Sequence, residues 1–113
     1  MASLAITVIG IKGKNKLVLS DGGITIANPG DTITWVVNGN SGVASIVAII
    51  DNSKIDLFKP NPVPLSAASW QGRINPARVL KEKTERYTIQ YLKIGDSKIY
   101  SSDPEIEVKP KPK

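Results

Sequence analysis

Asn28-Pro29-Gly30-Asp31-Thr32-Ile33-Thr34-Trp35-Val36-Val37 is the stretch that decides the fold class. Proline presets φ at the second position of a turn and glycine tolerates positive φ at the third, so Asn28 to Asp31 reads as a type II turn. Beyond it, Ile33, Trp35 and Val37 share one face of an alternating segment, which predicts a strand with Trp35 in the core. A turn leading directly into a half-buried strand is all-β patterning, and the pattern recurs on both sides.

Upstream, Leu4, Ile6 and Val8 alternate with Ala5 and Thr7 until Gly10 and Lys12-Gly13-Lys14-Asn15 break the run. Leu17 and Leu19 alternate with Lys16 and Val18, Ser20-Asp21-Gly22-Gly23 turns, and Ile24 and Ile26 flank Thr25. Downstream, Asn38-Gly39-Asn40-Ser41-Gly42 is a loop, and the nearly continuous apolar run from Val43 to Ile50 predicts a central strand covered on both faces. Pro60, Pro62 and Pro64 exclude a central strand between Asp51 and Pro64, so the 56–80 segment is expected to cross from one sheet to the other. Within it, Trp70-Gln71-Gly72-Arg73-Ile74 forms a short strand presenting Trp70, Gly72 and Ile74 to one side, and Asn75-Pro76-Ala77-Arg78 turns again. Residues 77–84 have the best helix propensity in the chain, enough for about two turns. In the last third, Tyr87, Ile89 and Tyr91 share a face and Gly95-Asp96 makes a hairpin turn into Lys98-Ile99-Tyr100. After Asp103-Pro104, Ile106 and Val108 oppose Glu105, Glu107 and Lys109. The sum is an all-β, single β-sandwich of seven to nine strands over residues 1–108, followed by a basic Lys-Pro tail at 109–113.

Composition narrows the function. The chain has 113 residues, 41% of them hydrophobic, which suits one domain with a real core and no run long enough to span a membrane. There is no Cys and no His, so the sequence offers no disulfide, thiol nucleophile, imidazole base or imidazole metal ligand. Met1-Ala2-Ser3-Leu4-Ala5-Ile6 lacks a basic n-region and is not a signal peptide; export after removal of a leader stays open, as does retention inside the cell.

Fifteen Lys+Arg face ten Asp+Glu. Residues 1–56 balance Lys12, Lys14, Lys16 and Lys54 against Asp21, Asp31, Asp51 and Asp56, so the excess falls in 57–113, with Lys109, Lys111 and Lys113 in an extended tail. That tail reads as solubilising. Three arginines (Arg73, Arg78, Arg86) and six aromatic residues are thin equipment for nucleic-acid binding.

Candidate chemistry is sparse. Ser53-Lys54 and Ser97-Lys98 are adjacent turn pairs whose side chains point apart, no Gly-x-Ser-x-Gly elbow occurs, and no enzyme is expected. Asp51 with Asp56 and Glu105 with Glu107 read as backbone-donor acceptors and a solvated edge, not as glycosidic pairs. Asp51-Asn52-Ser53 with Asp56 offers oxygen ligands for calcium but lacks the glycine and terminal glutamate of an EF-hand loop, and Gly10-Ile11-Lys12-Gly13-Lys14 lacks Walker spacing. Trp70 has the polar neighbours Ser69, Gln71 and Arg73, so a stacking role competes with burial beneath the proline-rich loop; Trp70, Arg73 and Arg78 are the candidate binding residues.

Gly23 to Trp35, with its Pro-Gly-Asp turn, resembles the second and third strands of the cupredoxin-like β-sandwich family. Glu85 to Tyr91 through Asp103-Pro104-Glu105-Ile106-Glu107-Val108 is similar to the final hairpin of copper-free relatives. The resemblance implies a Greek-key sandwich, with an immunoglobulin-like topology as the alternative. A blue-copper site needs a thiolate and two imidazoles, none of which exists here, so no functional residue carries over and neither copper nor any other cofactor is expected.

The expected function is a non-enzymatic binding or protein-interaction module using loops and a sheet edge, its nearest variant being an immunoglobulin-like accessory domain of an exported bacterial protein. The alternatives are a structural subunit self-assembling through strand edges and a weak, salt-dependent nucleic-acid binder using the basic C-terminal half.

Overall fold

A computed structural model describes residues 3–52, 57–66, 68–76 and 83–108. Ten strands are present among them, against the seven to nine expected. The strand not expected is Val63–Ser66, which pairs antiparallel with the neighbouring Ser69–Arg73. The first sheet has the order β2 (Lys16–Leu19), β1 (Ser3–Lys12), β4 (Thr32–Val37), β7 (Ser69–Arg73), β6 (Val63–Ser66). The second has β3 (Ile24–Ala27), β10 (Glu105–Val108), β8 (Lys83–Lys93), β5 (Val43–Asp51), with β9 (Ile99–Ser102) beside the upper half of β8.

Both sheets are mixed. β1 runs parallel to β4 from Ser3↔Thr32 to Val8↔Val37, and β3 runs parallel to β10. The sheets of an immunoglobulin-like sandwich are antiparallel, so the pairing fits the cupredoxin-like member of the two expected topologies.

The turn chemistry folds as its residues dictate. Asp31 N–H donates to the Asn28 carbonyl at 3.1 Å and Gly30 has φ of 86°, which is the type II turn expected. The Asp31 carboxylate then accepts the Asn28 N–H at 2.9 Å, locking the turn from inside. Ile33 and Trp35 are fully buried behind it, with Val37 packed against the core.

The proline-rich stretch crosses as predicted, since β5 belongs to the second sheet and β6 to the first. Its passage is not empty chain. Leu57 and Phe58 are buried, and Phe58 packs edge-on against Trp35 and Tyr87 with ring centroids 5.8 and 6.1 Å away. Pro62 lies so close to β7 that a Cβ on Gly72 would sit 2.9 Å from its Cγ. Of the helix-prone stretch 77–84, Lys83 and Thr84 open β8 and residues 77–82 lie outside the described residues, as does the 109–113 tail.

One expectation is corrected. The apolar run from Val43 to Ile50 is not a central strand but the outer strand of the second sheet. Register shifts between Val43 and Ser45 and between Ile46 and Ala48 place an extra residue in each interval. Burial therefore falls on every third residue, Val43, Ile46 and Ile49, while Val47 and Ile50 are exposed.

Among the hydrogen bonds that tie the sheets together besides the apolar core, three run from the strands themselves. Trp35 Nε1–H donates to Tyr87 Oη at 3.1 Å in the centre. Trp70 Nε1–H donates to the Ile46 carbonyl at 3.2 Å on the β5 side, and Leu17 N–H donates to Ser102 Oγ at 3.2 Å on the β2 side.

Candidate functional site

The residues singled out from sequence do not converge. Trp35 opposes Trp70 and Ile33 opposes Gly72 in the β4–β7 register, so Trp70 shares the inward face of β7 with Gly72. Its ring packs against the core and its indole N–H is taken by Ile46. Arg73 opposes Thr32 on the outward face, where its Nε–H donates to the Lys59 carbonyl at 2.9 Å. A shallow depression of about 380 Å³ beside it is walled by Thr32, Pro60, Val63, Gln71 and Gly72. Arg78 lies outside the described residues.

Ser97 and Lys98 are exposed, and the Lys98 N–H donates to Asp96 Oδ1 at 2.8 Å. Asp51 accepts a backbone donor, the Leu57 N–H at 2.9 Å, whereas Ser53, Lys54 and Asp56 lie outside the described residues. Among the described residues, no three His, Cys, Asp or Glu side chains gather as a metal site would need, and no helix is long and apolar enough to cross a membrane.

What the fold does offer is sheet edges, and they differ in how they are protected. Edge strands are kept from pairing with other chains by prolines, charges, bulges or cover. β5 carries two register shifts. β6 contains Pro64 and follows Pro60 and Pro62. β2 begins at Lys16, directly opposite Lys12, and it covers β9 through the Leu17–Ser102 hydrogen bond.

β3 is short, at four residues, but has none of these other devices. Its sequence, Ile24-Thr25-Ile26-Ala27, has no charge and no proline, and its four-residue parallel register with β10 is unbroken. The alternation is set by Asp21, whose Oδ1 accepts the Gly23 N–H at 3.0 Å and whose Oδ2 accepts the Thr25 hydroxyl. This brace turns Thr25 and Ala27 inward and leaves Ile24 and Ile26 at 52% and 57% exposure. On the same outward face, Glu105 sits beside Ile24 and Glu107 beside Ile26. A depression of about 150 Å³ opens at the start of the strand, with Leu17, Leu19, Ile24, Ser102, Pro104 and Glu105 on its walls. Sequence alternation named Ile24 and Ile26 but not their face, because Thr25 is as good a β-former as either; the signal lay in Asp21, four residues before the threonine that it holds.

No protein-family model matches the chain, and no curated protein matches it. Among solved structures, a multicopper oxidase, mgLAC, is similar over 99% of this chain and 40% of its own, at 13% identity and a TM-score of 0.49. The chain thus spans less than half of that oxidase. A likeness of that size carries no argument about activity, and the fold stands on the strand pairing described above.

Proposed function

We propose that the chain is a non-enzymatic protein-interaction module that takes up an extended segment of a partner along β3. The observation that carries this reading is the unprotected edge itself: four uncharged, proline-free residues presenting Ile24 and Ile26 to solvent. A strand added there gains main-chain hydrogen bonds from the edge and selectivity from its alternate side chains. Apolar residues in register with Ile24 and Ile26 suit it, and the carboxylates of Glu105 and Glu107 one strand further in favour Lys or Arg nearby. A reading without metal or enzymatic chemistry agrees with a sequence that has neither Cys nor His.

The test is selection of binders from a displayed library of random linear peptides, counter-screened against Ile24→Lys and Ile26→Lys. Binders with alternating apolar residues that lose affinity for both variants support the module. Binders indifferent to both substitutions defeat it. Light scattering on the unliganded chain runs alongside: concentration-dependent association abolished by the same substitutions would assign the edge to a second copy of the chain.

A further inference from the structure

One end of the sandwich gathers charge that the chain order conceals. The turn between β1 and β2 brings Lys12, Lys14 and Lys16, and the β8–β9 hairpin brings Lys93 and Lys98; Asp96 is the acid in these two segments. They are held together rather than merely near. Tyr91 Oη donates to the Asn15 carbonyl and Lys93 Nζ donates to Asn15 Oδ1, while the Ile94 N–H anchors the hairpin to the loop before β5 by donating to the Gly42 carbonyl at 2.9 Å. Asp96 is already engaged, by the Tyr100 hydroxyl at 2.6 Å and by the Lys98 amide. Lys12 and Lys16 face each other directly across the antiparallel pair, an arrangement of like charges that weakens a sheet unless an anion sits between them.

Next to Lys93 in the hairpin turn stands an exposed aliphatic side chain. Ile94 occupies the turn Lys93-Ile94-Gly95-Asp96 and is 63% exposed, and Ile99 at the start of β9 is 54% exposed. Cations around a protruding aliphatic residue match an anionic bilayer surface, where lysines meet headgroup charge and the apolar tip enters the interface. Nucleic acid fits less well. Residues 12–16 and 93–100 contain no arginine, and the ring of their one aromatic residue, Tyr100, has Lys93 Nζ 4.2 Å above its centroid, so no base-stacking platform is presented.

We propose that this end is a peripheral membrane-binding tip, in which Lys12, Lys14, Lys16, Lys93 and Lys98 contact anionic headgroups and Ile94 inserts at the interface. It involves neither β3 nor its exposed isoleucines, so it stands or falls separately from the interaction module.

The test is co-sedimentation of the full chain with vesicles of phosphatidylcholine, with and without phosphatidylserine. Binding is expected only when phosphatidylserine is present, and it should fall with salt. The exposed double variant Lys12→Gln/Lys14→Gln should weaken it roughly thirtyfold. Ile94→Asn should weaken it while leaving the salt dependence unchanged. Near-UV circular dichroism confirms that each variant keeps the wild-type fold. Equal binding to both vesicle types overturns the proposal. So does binding unaffected by these variants but lost when Lys109, Lys111 and Lys113 are replaced by Gln. Binding to single-stranded DNA that survives Ile94→Asn, with none to vesicles, overturns it in favour of nucleic acid.

Discussion

The indole N–H of Trp35 donates to the Tyr87 hydroxyl at 3.1 Å across the middle of the sandwich, joining a strand of the first sheet to one of the second. The Tyr87 hydroxyl also meets Thr25, whose own hydroxyl donates to Asp21. A polar chain thus runs from the centre of the core to the turn that sets the face of β3. Tyr87→Phe leaves the Trp35 N–H buried without its acceptor and is expected to cost about 1–3 kcal/mol. Urea unfolding at neutral pH measures it; an unchanged midpoint would show that the chain contributes nothing.

The same tyrosine predicts an alkaline limit. Burial, above all other causes, raises the Tyr87 hydroxyl pKa well beyond the ordinary tyrosine range. The folded protein holds this proton when the unfolded chain has lost it, so the contribution is complete below the unfolded pKa of about 10 and is lost as pH rises above it. Thermal melts of wild type and Tyr87→Phe across that range should show the wild type falling more steeply.

Gly72→Ala tests the crossing segment. Its Cβ would meet Pro62 at 2.9 Å from Cγ and 3.1 Å from both Cα and N, and the backbone atoms cannot rotate away. We expect a loss of about 1–3 kcal/mol from overpacking. If melting is unaffected, Pro62 is not fixed against β7 as described.

Trp70→Phe keeps an aromatic body but removes the donor to the Ile46 carbonyl beside a register shift of β5. A loss of about 1 kcal/mol is expected. Hydrogen exchange should rise first in β5, whose edge depends on that bond, and uniform exchange across both sheets would contradict the assignment.

Asp96 and Tyr100 predict reciprocal titrations. The Tyr100 hydroxyl bond, followed by the Lys98 amide, lowers the Asp96 pKa, and the same bond to Asp96 raises that of Tyr100. In Asp96→Asn, Tyr100 should titrate closer to the ordinary value of about 10, and in Tyr100→Phe, Asp96 should move up toward about 3.9, both read by NMR. The contribution of Asp96 to stability is present in full above its unfolded pKa and is lost as pH falls through the lowered folded one.

By itself the sequence determined the elements governed by local rules. The Asn28–Asp31 turn, the core face of Ile33 and Trp35, the inward set Tyr87, Ile89 and Tyr91, and the exclusion of a central strand by Pro60, Pro62 and Pro64 all follow from backbone sterics and period-two alternation. What only the tertiary structure decided depends on partners distant in the chain. Val43 to Ile50 looks central because every residue is small or apolar, but it lies outermost because β8 has β9 and β10 on its other flank. Trp70 and Arg73 are near in sequence yet fall on opposite faces of one strand. Charge counted by halves placed the first 56 residues at balance, whereas the fold folds Lys12, Lys14 and Lys16 against Lys93 and Lys98. Side-chain alternation is a local property, but which edge stays open and which charges meet are set by strand order, and strand order is fixed only by long-range pairing.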